Sequence, residues 1–245
     1  MVVLIFLIGL CLGSFLNVVI YRFPRELSIA LPSSHCPKCK HRLKWRHNIP
    51  VFSYIYLKGK CAFCHKKISW IYPLVELLTG AVCAFLFIHF GFGRLFFEVS
   101  IFSLLLIALI FIDFEHQILP DELNYLLLWI GLLVSIFPGF TMPEEAIVGA
   151  AAGYFSLWFI AKMYEFVTTR EGMGYGDFKL LAALGAWAGW QALPWIVLVA
   201  ALLGSVVALV LITLKKANSK TAIAFGPYLA AAGWVVLIWG KQAFF

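Results

Sequence analysis

Apolar residues run along this chain in long, mostly apolar blocks rather than at helical or strand spacing. Such blocks cover about residues 2–21, 70–90, 95–112, 123–138, 144–163, 178–193, 195–214 and 225–240. A helix needs about 20 mostly apolar residues to cross the hydrocarbon core of a bilayer, so the pattern predicts an all-α integral membrane protein with about eight transmembrane helices. The first block could serve as a signal peptide, but no basic residue precedes it and the first positive charge, Arg22, follows it. It reads as a retained anchor.

The pattern breaks once, over residues 22–69, where prolines, basic residues and four of the six cysteines gather. The chain therefore divides into a first transmembrane helix at 1–21, a polar insert at 22–69, and a seven-helix membrane domain at 70–245. Composition agrees: 63% of the 245 residues are apolar, 13% are charged and mean hydropathy is +0.94, against about 25% charged residues in a soluble domain.

A net charge of +7 would suggest nucleic acid if it were spread over a soluble surface, but eleven of the nineteen lysines and arginines lie between Arg22 and Lys67. Positive loops stay in the cytoplasm. That rule puts the N-terminus outside and the insert inside. Eight spans threaded from there send Arg170, Lys215, Lys216 and Lys220 to the cytoplasm and leave only Arg94 and Lys241 on the other side. Membrane lipid is thus the expected partner, and nucleic acid is not.

Within the insert, Cys36, Cys39, Cys61 and Cys64 form two Cys-x-x-Cys pairs, the arrangement in which each pair grips a tetrahedral ion from a tight turn. Two disulfides or a redox pair are the rival readings, but the reducing side of a membrane disfavours lasting disulfides. Four thiolates leave no open position on a zinc ion, so its role would be structural, holding together an insert too small to build a core of its own. Cys11 and Cys83 lie inside apolar blocks, where single cysteines act as small hydrophobes.

Two acids stand out at the ends of spans that carry few charges. Asp113 ends the third apolar block, and Asp177, in Gly172-Met-Gly174-Tyr-Gly176-Asp177, opens the sixth. The threading brings both to the cytoplasmic membrane face. Ionisable groups at membrane depth are functional candidates by default, and two facing carboxylates sharing one proton have a specific use. One acts as base on a water while the other donates to a scissile carbonyl. The bland alternatives are a helix N-cap for Asp177 and a snorkelling charge for Asp113. Glu115, Asp121 and Glu122 fall in the following loop and read as solvated.

These blocks, taken in order, resemble the bacterial type IV prepilin peptidase family, also called leader peptidase and N-methyltransferase. The matching stretches are Gly13-Ser-Phe-Leu-Asn-Val-Val-Ile-Tyr-Arg22, the double Cys-x-x-Cys insert, His47-Asn-Ile-Pro-Val, Gly59-Lys60-Cys61, Tyr72 through Gly80, Asp113 through Asp121, Gly174-Tyr-Gly-Asp177-Phe-Lys-Leu-Leu and Phe225-Gly-Pro-Tyr228. The resemblance implies that Asp113 and Asp177 are the catalytic pair of an aspartyl endopeptidase in a bacterial inner membrane. It implies as substrate the short basic leader of type IV prepilins or type II secretion pseudopilins. It also implies S-adenosylmethionine-dependent methylation of the new N-terminus, with Gly59, Lys60 and Glu76 at family positions near the donor. Ile71 departs from the basic residue expected in many relatives.

The basic insert should repel a basic leader within the Debye length of about 8 Å. Glu115, Asp121, Glu122, Glu165 and Glu171 are expected to form an acidic patch that receives the leader, while the insert faces anionic lipid. Two other classes remain open from the residues alone: a proton- or cation-coupled transporter using the same aspartates, and a non-catalytic assembly subunit docked through the insert.

Overall fold

The computed structural model describes residues 1–169, 173–214 and 224–243, with the backbone alone at 241–243. Arg170, Glu171, Gly172, Lys215, Lys216, Lys220 and the Lys241 side chain, used above in the motif, topology and charge arguments, lie outside the described residues. Each of the eight apolar blocks overlaps a helix. The helices are α1 (Val2–Arg22), α3 (Ile71–Phe90), α4 (Arg94–His116), α5 (Asp121–Val134), α6 (Pro143–Thr168), α7 (Tyr175–Ala188), α8 (Leu193–Thr213) and α9 (Gly226–Ala243); α2 (Phe52–Tyr56) is a short helix in the insert. Helices α5 and α7 end four and five residues before their blocks do. Among the described residues, five helices, α1, α3, α4, α6 and α8, are long and apolar enough to cross a membrane. At 14 residues each, α5 and α7 extend about 21 Å, less than the roughly 30 Å of hydrocarbon.

The chain forms two compact units, Met1–Ala108 and Leu109–Phe245. In the first, α1 packs along α3 in antiparallel register. The contact is built from small residues: a Cβ on Gly9 would stand 2.8 Å from Gly80 Cα, and one on Gly13 would stand 2.7 Å from Glu76 Cα. Close backbone approach of this kind drives helix association where lipid removes the hydrophobic incentive. Asn17 completes the pair by donating from Nδ2 to the Tyr72 carbonyl at 3.0 Å.

In the second unit α7 is the centre. Ten of its 14 residues are buried, and α5, α6 and α9 pack around it. Its neighbours meet it at glycines. Gly149 of α6 lies against the Gly185 backbone, Gly153 against Leu181, Gly131 of α5 against the Trp187 indole and Gly233 of α9 against Leu184. Trp187 is 1% exposed, and its Nε1 donates to the Leu127 carbonyl at 2.9 Å, satisfying a polar atom that would otherwise be costly to bury. The outward faces of α6 and α8 carry Phe155, Phe159, Leu202, Val206 and Leu209, all exposed, as suits contact with lipid.

Candidate active site and metal centre

Asp113 lies three residues before the end of α4 and Asp177 is the third residue of α7. Helix α4 continues through His116, so Asp113 belongs to the helix rather than to the loop. Residues 121 and 122, read above as loop, form the first turn of α5 instead, where acids complement the helix dipole. Gly174, not Asp177, caps α7, and it makes no side-chain cap bond. The Asp177 carboxyl is therefore not spent on capping.

The two acids come together inside the second unit. Asp113 is 5% exposed and Asp177 9%, and the Asp113 charge acts directly on Asp177. Glycines shape their surroundings. The backbone N–H of Gly226, the first residue of α9, donates to the Asp113 carboxylate. A Cβ at Gly226 would stand 2.5 Å from Asp113 Oδ2 and 3.0 Å from Leu119 Cδ1, and a Cβ at Gly176 would stand 2.8 Å from Leu119 Cβ. Leu119 is thus wedged between the starts of α7 and α9. Three helix ends and the α4–α5 loop converge on one buried, two-carboxylate site.

Gly226 and Leu119 were not assigned roles from sequence, although both fall within matched stretches. Their importance comes from the convergence of segments about fifty or more residues apart. Asp121 is held by Lys179 of α7, whose Nζ lies 2.6 Å from both carboxylate oxygens, and Lys179 also stacks 5.5 Å from the Tyr125 ring centroid. Glu115 faces His116 at 3.8 Å, and Glu165 pairs with Lys162 at 2.7 Å. Three members of the expected acidic patch therefore have basic neighbours of their own. A cavity of about 650 Å³ lined by Thr141, Glu145 and Gln191 lies at the far end of α7, beside Ala188, and so is remote from the acids.

In the first unit the four cysteines of the insert converge. Their Sγ atoms all lie within 4.8 Å of one another, with Cys36 and Cys64 at 3.9 Å. The two Cys-x-x-Cys turns have the same construction. Cys36 N–H donates to His41 O and Lys40 N–H to Cys36 O, while Cys61 N–H donates to Lys66 O and His65 N–H to Cys61 O. Lys40 and His65 occupy the same place in each turn, with φ of 57° and 53°. Such turns point backbone N–H groups at sulfur. Burial raises the Cys61 thiol, but the N–H groups of Cys64 and Phe63 more than offset this and lower it to about 7. Cys39 moves the other way, to about 11: the His41 N–H lowers it, but burial and the neighbouring sulfurs hold its proton. Four convergent sulfurs, one of them readily ionised, suit a soft, tetrahedral metal ion.

Glu76, Gly59 and Lys60 also lie in the first unit but serve different positions. Glu76 is 7% exposed; its Oε2 accepts the Val51 N–H at 2.7 Å and it bonds the Ser14 side chain. Val51 has φ of 61°, so Glu76 fastens a left-handed residue at the start of α2. Gly59, with φ of 67°, packs on Tyr54, where a Cβ would stand 3.0 Å from the hydroxyl. The Lys60 side chain is exposed, and its backbone begins the second cysteine turn.

Residues 7–90 match the bacterial peptidase A24 N-terminal domain, and residues 100–209 match the type IV leader peptidase family. Relatives named prepilin leader peptidase/N-methyltransferase cover nearly the whole chain. The protein of Stutzerimonas stutzeri is 44% identical over 96% of this chain and 89% of its own. That of Pseudomonas aeruginosa is 42% identical over 96% and 89%, and that of Aeromonas hydrophila 43% over 98% and 91%. No solved structure matches.

Proposed function

Because the chain belongs to the type IV leader peptidase family, we propose that it is a prepilin leader peptidase and N-methyltransferase in which Asp113 and Asp177 carry out the cleavage. The observation that supports this pair is their burial together in one unit, with the charge of one acting on the other. One carboxylate, ionised, takes a proton from a water. The other, protonated, donates to the scissile carbonyl as the water attacks; the first acid then passes its proton to the leaving amine as the C–N bond breaks, and the second recovers its own from the diol hydroxyl. The Gly226 N–H occupies one lone pair of Asp113 and fixes the plane in which it can work. Amide hydrolysis by this route forms no covalent intermediate.

The substrate is a type IV prepilin or a type II secretion pseudopilin, cut between a short basic leader and an apolar segment. The eight helices α1 and α3 to α9 are all assigned to the bilayer of the bacterial inner membrane, with the N-terminus outside and the acids at the cytoplasmic face. The short α5 and α7 support an acid pair near the surface, since about 21 Å of helix need not carry its first turn deep into hydrocarbon.

Zinc is the metal assigned to Cys36, Cys39, Cys61 and Cys64, where it closes the two turns of the insert and has no part in cleavage. S-adenosylmethionine supplies the methyl group for the second activity. Glu76, Gly59 and Lys60 are proposed to shape the donor site at the junction of the insert and α3. Glu76 would act chiefly by holding α2, since its carboxylate already receives Val51 and Ser14.

The test compares wild type with Asp113→Asn and Asp177→Asn, purified in lipid with a prepilin and read by the mass shift on cleavage. Loss in both variants, with folding and zinc content retained, is the expected result. Cleavage surviving either change would remove that acid from the pair. The reading of the same acids as an ion path gains no support from the relatives.

A further inference from the structure

The insert carries an apolar face that its own packing leaves outside. In α2, Phe52, Ile55 and Tyr56 are 63%, 67% and 87% exposed, at the i, i+3, i+4 spacing of one helix face. Its other residues turn inward: Ser53 Oγ donates to the Arg46 carbonyl at 3.0 Å, and the Tyr54 hydroxyl reaches the Ile68 carbonyl at 3.4 Å. The Ser53 bond fastens to α2 the neighbouring turn, Trp45–His47, where Trp45 is 76% exposed. Four large exposed side chains thus belong to one fixed piece.

The position of that piece follows from Glu76. Helix α3 begins after Trp70, an exposed tryptophan of the kind that marks a membrane interface. Glu76 lies six residues further on, about 9 Å along the axis, and its side chain points back toward the helix start. Since its carboxylate holds the Val51 N–H, α2 starts level with the membrane end of α3 rather than above it. The charge around it is one-sided. Residues 22–69 hold eleven basic side chains against one acid, Glu26. Basic residues beside an interfacial aromatic face are attracted to the anionic cytoplasmic leaflet, at about 1 kcal/mol for each one near the surface.

We infer that α2 and Trp45 form a docking face for the anionic lipid surface, laying the metal-binding insert down on the bilayer that α1 and α3 cross. Phe52, Ile55, Tyr56 and Trp45 enter the headgroup region while the surrounding lysines and arginines meet lipid phosphates. The inference requires that α1 and α3 span the membrane. It does not depend on Asp113 and Asp177 being the catalytic pair, and its test does not read cleavage.

The experiment places the full-length, metal-loaded protein in nanodiscs of phosphatidylcholine alone or mixed with phosphatidylglycerol and follows amide hydrogen exchange over residues 45–57. Exchange at 52–57 should slow by about threefold or more in the anionic discs, and high salt should erase the difference. The variant Phe52→Ser, Ile55→Ser, Tyr56→Ser should lose the lipid effect while keeping its metal content. As a second readout, brominated phosphatidylglycerol should quench the part of the fluorescence that Trp45→Phe removes. Equal exchange in the two lipids together with unquenched Trp45 would overturn the inference. So would protection that arises only on adding prepilin, which would make this face a substrate surface.

Discussion

Gly226→Ala isolates the geometry of the acid pair with a single methyl group. The new Cβ would stand 2.5 Å from Asp113 Oδ2 and 3.2 Å from its Cγ, while ordinary contact begins at 3.4 Å. The carboxylate must retreat by about 0.9 Å or turn out of the plane that the Gly226 N–H sets. Misplacing a reacting group by about 1 Å costs on the order of 10²-fold, or about 2.7 kcal/mol on the barrier. Folding should suffer little, because the atoms met are the ends of the Asp113 and Leu119 side chains rather than backbone. Cleavage of a prepilin by the variant in lipid should therefore fall about 100-fold in kcat/KM. Thermal unfolding should be unchanged, and methylation of already cleaved pilin should continue at the wild-type rate. Cleavage within about threefold of wild type would mean that Asp113 does not work from the position set by Gly226.

Gly176→Ala should also impair cleavage, but through Leu119, whose Cβ lies 2.8 Å from the added carbon. Leu119→Gly should then restore part of the activity of Gly176→Ala and little of Gly226→Ala, read as kcat/KM in a double-mutant cycle. Gly149→Ala drives a Cβ into the Gly185 backbone, 2.9 Å from its carbonyl carbon, where nothing can rotate away; a loss of about 1–3 kcal/mol in unfolding measurements is expected. Asp121→Asn removes a pair whose acid is half exposed, so a stability change of at most about 1 kcal/mol and near-normal cleavage should be seen. Because Lys179 holds Asp121, neutralising Glu115 and Glu122 alone should raise KM for a basic leader nearly as much as neutralising all three, and an unchanged KM would remove the acidic-patch idea. Stripping the insert with a strong chelator, or Cys61→Ser, should release the metal and raise hydrogen exchange across residues 33–68 while the α1–α3 contact stays protected.

The helices and the two acids were legible because each depends on local chemistry. An uninterrupted apolar block can only be a buried or lipid-facing element, and a carboxylate at the end of one is conspicuous. The cysteine turns were equally plain, since a pair two residues apart already specifies a turn. Lengths were less legible. The blocks at 123–138 and 178–193 gave no sign that α5 would stop at Val134 and α7 at Ala188, because apolar residues beyond them, Ile136 and Phe137 in a turn and Trp190 in a short 3-10 helix, extend the hydrophobic run. The parts that escaped are those made by convergence. Nothing local marks Gly226 as the donor to Asp113, Leu119 as the wedge between two helix starts, or Glu76 as the clamp on Val51.

The central place of α7 gives these pieces a common reason. An acid pair with the proposed catalytic role must be held to within a fraction of an ångström, yet lipid offers no hydrophobic force to press helices together. Here α7 is gripped on three sides by backbone contacts at Gly149 and Gly153, by the Leu184 side chain seated on Gly233 and by the Trp187 bond to Leu127, so it has little freedom to slide. Asp177 sits on its first turn, with the lever arm from the grip only a few residues long. Asp113 is fixed from the opposite direction by the first N–H of α9, a helix that also packs on α7 through Gly233. Both carboxylates are thus referenced to one helix, and a substitution that loosens α7 anywhere along its length should act on cleavage before it acts on the fold.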